Sequence, residues 1–270
     1  REDVLKELGI PVPKTYEEVV AASEKIRASG KMQHPYAAAY KAGWNLAEEF
    51  VNMFIGHGGE FFKAGTAEPN INNAKGVATL NMLKKLASLS NPDYLTHDSE
   101  AIKVEWESGK VALMTLWASR SGTLLDDEGD AKITAATKLT GPATVGGGNI
   151  PAATLWWDGF TLAKNRSDSD AEASFIALAH AASNKKMVAD AADQAVWLVE
   201  GFVPGPKSIG VIEAVKMGAK PYPMLPQMGL MHGALGSEIV EFLQGKESAE
   251  QALKDVEAAY ISKAKEQGFL

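Results

Sequence analysis

The sequence predicts an α/β fold, because twice along the chain a helical pattern adjoins a short apolar run of strand length. A helix over residues 99–106 ends at Gly109, and Val111, Ala112, Leu113, Met114, Thr115, Leu116 and Trp117 follow it as a continuous apolar stretch that reads as a buried strand. A strand over 154–162, rich in β-branched and aromatic residues, then precedes a helix through Phe175 and Leu178. The chain has 270 residues, 46% hydrophobic and 23% charged, which suits one or two packed domains and excludes a disordered chain.

The remaining elements follow in order. The first residues read as a helix end, and Gly9-Ile10-Pro11-Val12-Pro13 as an extended linker, since proline disfavours helix in the residue before it. Thr15-Tyr16-Glu17-Glu18 is a capping box ahead of Val19, Val20, Ala22 and Ile26, with Gly30 placed to end that helix. Residues 44–54 and 73–89 are apolar on a helical period and predict two core-facing helices, the second aligning Val77, Leu80, Leu83 and Leu86. Gly146-Gly147-Gly148 centres a loop over 139–151 that suggests a lobe boundary near 150. Ser169-Asp170-Ala171-Glu172 predicts a second capping box, and a short helix is expected over 184–195. Four prolines break 201–223 into loop and short helix. Two amphipathic helices, 229–243 and 248–266, close the chain, the last capped by Ser248 and stopped by Gly268.

Several chemistries are excluded by composition. Lys and Arg number 27 against 34 Asp and Glu, and a net charge of −7 offers no basic field for nucleic acid or an anionic membrane. With no cysteine, disulfides and thiolate sites are absent, and His34, His57, His97, His180 and His232 include no i, i+4 pair, so neither a metal nor a cofactor is expected. No apolar run approaches the ~20 residues of a membrane helix. Arg1 opens into Glu2-Asp3 without a signal core, so the chain reads as mature, processed or truncated. Gly201, Gly205, Lys207 and Ser208 lack phosphate-loop spacing, and no nucleophile elbow is present. Asp126-Asp127 with Glu128, and Glu48-Glu49, form acid pairs of the kind glycoside cleavage uses, but such runs are ordinarily solvated faces. The chain is therefore not expected to be an enzyme; the alternative is a glycan-processing enzyme using Asp158 or Glu48 as acid and base.

The six tryptophans carry more information, since Trp44, Trp117, Trp156 and Trp157 fall at element ends. In a regular strand Trp156 and Trp157 point to opposite faces, so one of them goes to the core and the other needs another explanation. Indole rings stack on the apolar faces of sugars while polar side chains bond the hydroxyls, and Asp158, Arg120, Lys41 and His232 are candidates for that second role. The plain alternatives are core tryptophans, a turn aspartate before Gly159, a helix-face histidine, and helix-entry sequence at Gln227-Met228.

An ordered series along the chain resembles the extracellular solute-binding proteins of ABC importers, in the carbohydrate-binding, maltose-binding-protein-like branch. Glu2 through Glu18, with its short helix, proline linker and Pro13-Lys14-Thr15-Tyr16-Glu17-Glu18 helix start, resembles one family segment. Gly58-Gly59 after an aromatic-rich helix, Glu107-Ser108-Gly109-Lys110-Val111-Ala112-Leu113-Met114, Trp157-Asp158-Gly159-Phe160-Thr161-Leu162-Ala163-Lys164-Asn165, and Pro226-Gln227-Met228 with the final helix pair continue it.

The resemblance implies a type II periplasmic-binding-protein-like two-lobe fold with a hinge, in which the N-terminal part of the first lobe is absent from this chain. Residues 1–150 plus 225–270 would form the C-terminal lobe, and 151–224 the returning segment of the N-terminal lobe. It further implies a carbohydrate or polyol ligand, ABC permease transmembrane subunits as partners, and a periplasmic or extracellular location, free or lipid-anchored. The missing N-terminal segment is expected as a companion polypeptide or as sequence beyond this chain. By position the implied ligand contacts are Tyr40, Lys41, Trp44, Trp117, Arg120, Trp156, Trp157, Asp158, Gln227 and His232. His232 stands where that branch has a stacking aromatic ring, which argues against a malto-oligosaccharide.

Overall fold

The computed structural model describes residues 1–126, 129–192 and 194–270. Its elements run α1 (Glu2–Glu7), α2 (Tyr16–Ala28), β1 (Tyr36–Ala37), α3 (Trp44–Gly56), α4 (Ala74–Ala87), α5 (Ser99–Glu107), β2 (Leu113–Met114), α6 (Ala118–Ser121), α7 (Ala131–Ala136), β3 (Thr154–Leu155), α8 (Asp168–Ser183), α9 (Lys185–Asp190), α10 (Ile209–Lys216), β4 (Lys220–Pro221), α11 (Met228–Leu243) and α12 (Ala249–Glu266).

The helix starts follow local chemistry. Thr15 Oγ1 accepts from the Glu18 N–H at 3.1 Å, and the Glu18 carboxylate accepts from the Thr15 N–H at 3.3 Å, closing the expected capping box of α2. Asn73 caps α4 and Ser248 caps α12, although the Gln251 amide turns away to Asp255 and leaves that cap one-sided. For α8 the expected start is displaced: Ser167, not Ser169, accepts from the Asp170 N–H at 3.2 Å, because its hydroxyl has the same three-residue reach to Asp170. The expected helix over 184–195 is confined to α9.

Helices α3, α4, α11 and α12 pack together around the main core, which holds Leu46, Phe50, Phe54, Leu80, Leu83, Met231, Leu235, Ile239, Leu253, Val256 and Tyr260. Two glycines set the α3–α11 approach. A Cβ on Gly236 would lie 2.4 Å from the Gly43 carbonyl oxygen, and the Gly43 N–H donates to the Gly236 carbonyl at 3.0 Å. This contact places Trp44, the first residue of α3, against the turn of α11 that carries His232.

Both strand expectations prove too long. The structure pairs β1 with β2 in parallel (Tyr36 with Leu113, Ala37 with Met114) and β3 with β4 in parallel (Thr154 with Lys220, Leu155 with Pro221). The first ladder stops because the chain after β1 folds on itself, with the Tyr40 N–H donating to Ala38 O at 2.9 Å, so Leu116 and Trp117 have no partner strand there. The second stops after the Tyr222 N–H donates to Leu155 O at 3.1 Å, because Pro223 beyond it has no N–H to offer. Trp117 becomes the residue that enters α6, and Trp156 and Trp157 lie beyond the last strand residue.

The segment 151–224 buries little of its apolar surface. Helix α8 has no buried residue, and Trp157, Phe160, Phe175, Ile176, Leu198, Val203 and Met224 are all at least 65% exposed apart from Ile176 at 59%. These seven large apolar side chains of one segment stand largely in solvent.

Candidate functional site

Five rings meet where the ends of β2, β3 and β4 approach the start of α3. Trp117 leaves β2, Trp156 leaves β3, Tyr222 follows β4, Trp44 opens α3, and His232 comes from α11. The carboxyl ends of parallel strands are where α/β folds place ligands, since there side chains from separate elements converge without a covering helix. The Trp44 ring is 5.4 Å from Trp117 and perpendicular to it, 5.9 Å from Trp156, and 5.0 Å from His232. Trp156 lies 4.3 Å from Tyr222, and Tyr222 lies 5.8 Å from His232. Trp44 and Trp156 remain half exposed, at 50% and 49%, so the cluster presents indole surface outward.

His232 organises the inner edge. Its Nε2 is 3.0 Å from the Trp44 carbonyl oxygen, an atom that only accepts, so Nε2 carries the proton and Nδ1 accepts from the Tyr222 hydroxyl at 3.0 Å. Burial holds its pKa below the ordinary histidine value, against an opposing contribution from the Trp44 carbonyl, and keeps the ring neutral. Burial, with a smaller effect of the nearby Glu48 charge, raises the Tyr222 phenol well above its usual range.

Glu48 lies under the tryptophans. Thr154 Oγ1 donates to its Oε1 at 2.7 Å, and the Trp156 indole N–H reaches the same oxygen at 3.3 Å and Thr154 Oγ1 at 3.0 Å. The Thr154 hydroxyl also lies 2.8 Å from Asn52 Oδ1, so its one proton is shared between that oxygen and Glu48 Oε1. Glu48 Oε2 and Trp117 Nε1 are both buried without a hydrogen-bond partner. Burial, opposed by the hydrogen bonds from Thr154, Trp156 and Asn52, pushes the Glu48 carboxyl up to about 7. Burial and the neighbouring Glu48 charge push Glu49 up to about 8. The expectation that Glu48-Glu49 is a solvated face is thereby overturned: α3 inserts both into the protein, at 2% and 4% exposure, because its apolar residues are buried nearly all round.

The other expected contacts are distributed elsewhere. Tyr40 is in the core at 0% exposure, its ring edge-on to Tyr94 at 6.0 Å. Lys41 pairs with Asp98 at 3.0 Å, Arg120 with Glu100, and Gln227 is the buried residue that enters α11. Trp157 and Asp158 are exposed, so neither adjacent tryptophan goes to the core, contrary to the strand argument, which needed a ladder that ends at Leu155. Asp127 and Glu128 of the second acid pair lie outside the described residues. The sequence does not single out Tyr222 and marks Glu48 only as an acid; the signal it offers for Glu48 is the i, i+4 spacing from Trp44.

The sequence model of the family described as bacterial extracellular solute-binding protein matches residues 1–195. A probable amino-acid ABC transporter periplasmic-binding protein of Sinorhizobium fredii is 31% identical over 115 residues, covering 42% of this chain and 26% of that protein. Among solved structures, an ABC transporter solute-binding protein of Agrobacterium radiobacter in complex with ribitol superposes with a TM-score of 0.78 at 19% identity, over 96% of this chain and 66% of that one. Maltose-bound MalE3 of T. maritima gives 0.80 at 18% identity, over 96% and 68%. The chain thus spans about a quarter of that curated relative and about two thirds of these solved chains. The two structures show the fold, the type II α/β architecture of solute-binding proteins. Matched by the family model over well more than half of its length, the chain belongs to the bacterial extracellular solute-binding protein family.

Proposed function

We propose that this chain is the greater part of an ABC importer's substrate-binding component, which captures a carbohydrate or polyol between two lobes and delivers it to permease transmembrane subunits. The observation that carries the reading is the half-exposed indole pair Trp44 and Trp156, backed by Trp117, Tyr222 and His232. Flat apolar rings ringed by neutral hydrogen-bonding groups suit the C–H faces and hydroxyls of a sugar. Residues 1–150 with 225–270 serve as one lobe and 151–224 as part of the other, and the exposed apolar side chains of 151–224 pack against further polypeptide of that second lobe. Ligand contact with both lobes favours the closed form by its differential affinity. The remaining expected contacts, Lys41, Arg120, Trp157, Asp158 and Gln227, are read as contacts of that closed form. The site is read as periplasmic or extracellular, which the extracellular description of the family supports, and the protein as a binder rather than a catalyst.

Thermal denaturation in the presence of ribitol, mannitol, maltose or a mixture of free amino acids tests this. A ligand at about a hundred times its Kd stabilises the folded state by roughly 2.7 kcal/mol, which moves Tm by several degrees. A shift with a polyol or sugar, without release of a cleaved product, supports the reading. A shift with amino acids alone would transfer the site to the ligand class named for the Sinorhizobium relative, and turnover of a glycoside would restore the enzyme alternative.

A further inference from the structure

Glu48 is a buried carboxyl that stacking on a sugar does not require. It follows Trp44 by one helical turn on the same face of α3. Both the Thr154 hydroxyl and the Trp156 indole N–H converge on its Oε1, at 2.7 and 3.3 Å, while Oε2 is buried and unpartnered. Leaving a carboxyl oxygen in that condition is unfavourable, so the position is not explained by stability.

Trp156 lies past the last ladder residue of β3, half exposed, its ring tilted against Tyr222 at 4.3 Å and Trp44 at 5.9 Å and its N–H shared between Glu48 Oε1 and Thr154 Oγ1 at 3.0 Å. An indole so placed samples several rotamers unless its N–H is tied. We propose that Glu48 is a positioning residue that fixes the Trp156 indole against Tyr222 and Trp44 through Oε1, so that the aromatic surface is formed before ligand arrives. This rests on the reading of the ring cluster as the binding surface.

The proposal has a pH signature. The groups facing Glu48 are Glu49 on its own helix, Asn52 one turn on, Thr154 and Trp156 from the β3 segment, and Tyr222 after β4, with His232 of α11 one hydrogen bond beyond. Tyr222 and His232 are neutral around pH 7, the first raised and the second lowered. Glu48 therefore changes charge there, and the ionised carboxylate accepts shorter, stronger hydrogen bonds than the neutral acid. Raising the pH through about 7 tightens the hold on Trp156.

Near-ultraviolet circular dichroism of the ligand-free protein across the neutral range reads this, with Tm measured on each variant. The wild type is expected to change its indole bands with a midpoint at about 7. Glu48→Gln keeps an oxygen acceptor and abolishes the transition; Glu49→Gln retains it. Thr154→Val, which removes the other partner of the indole N–H, weakens the bands at every pH. A transition that persists in Glu48→Gln, or a folded Glu48→Ala protein with wild-type bands, overturns the proposal. Since no ligand is present, failure here leaves the binding reading standing, and failure to bind any sugar leaves the Glu48–Trp156 contact standing.

Discussion

The imidazole of His232 bonds the backbone of Trp44 rather than its ring: Nε2–H meets the Trp44 carbonyl oxygen at 3.0 Å, while the two rings lie 5.0 Å apart. One side chain of α11 thereby ties down the first turn of α3 and, through Tyr222, the strand β4 segment. His232→Phe preserves the ring but leaves the Trp44 carbonyl and the Tyr222 hydroxyl unpaired, and is expected to destabilise the protein by about 1–3 kcal/mol. Chemical denaturation checks the magnitude; an unchanged midpoint would show that both groups find water instead.

The pH dependence of stability follows from the two buried carboxyls. Glu48 and Glu49, raised to about 7 and about 8, bind protons in the folded state that the unfolded chain has already released. Stability is then fully present below the unfolded value of 4.5 and falls as pH rises through 7 and 8, flattening above. His232 acts oppositely: lowered from 6.5, it contributes stability above that value that is lost as pH falls below it. In a Glu49→Gln variant the loss between neutral and mildly alkaline pH is expected to shrink, as read from Tm against pH.

Two glycines of α11 should respond with opposite sign. Gly236→Ala drives a methyl into the Gly43 carbonyl 2.4 Å away and forces α3 from α11, at a cost of about 1–3 kcal/mol. Gly233→Ala meets nothing within 4 Å and gains up to about 1 kcal/mol of helix propensity. A pair of melting curves is sufficient.

Trp44→Ala removes the ring that touches Trp117, Trp156 and His232, and is expected to abolish measurable sugar binding by calorimetry. Trp157→Ala, at a residue 67% exposed, should leave Tm unchanged. If it also lowers affinity, Trp157 is a ligand contact of the closed form; unchanged affinity removes it from the site.

The amino-acid order makes the long helices α2, α3, α4, α11 and α12 legible, because their signals are local. Thr15, Asn73 and Ser248 reach N–H groups two or three residues away, and the apolar period of 73–89 needs no knowledge of the partner it faces. It also marked Trp44, Trp117, Trp156 and His232, which the structure brings together. Tertiary structure decided the rest. A strand is only as long as its partner allows, and Ala38 on one side and Pro223 on the other cut both ladders to two residues, which released Trp117 and Trp156 from the sheets. The burial of Glu48 beneath Trp156, the loss of Tyr40 to the core and the entry of Tyr222 depend on contacts more than ten residues apart in sequence or on helices packed around them, and no local period encodes which face of α3 meets β3.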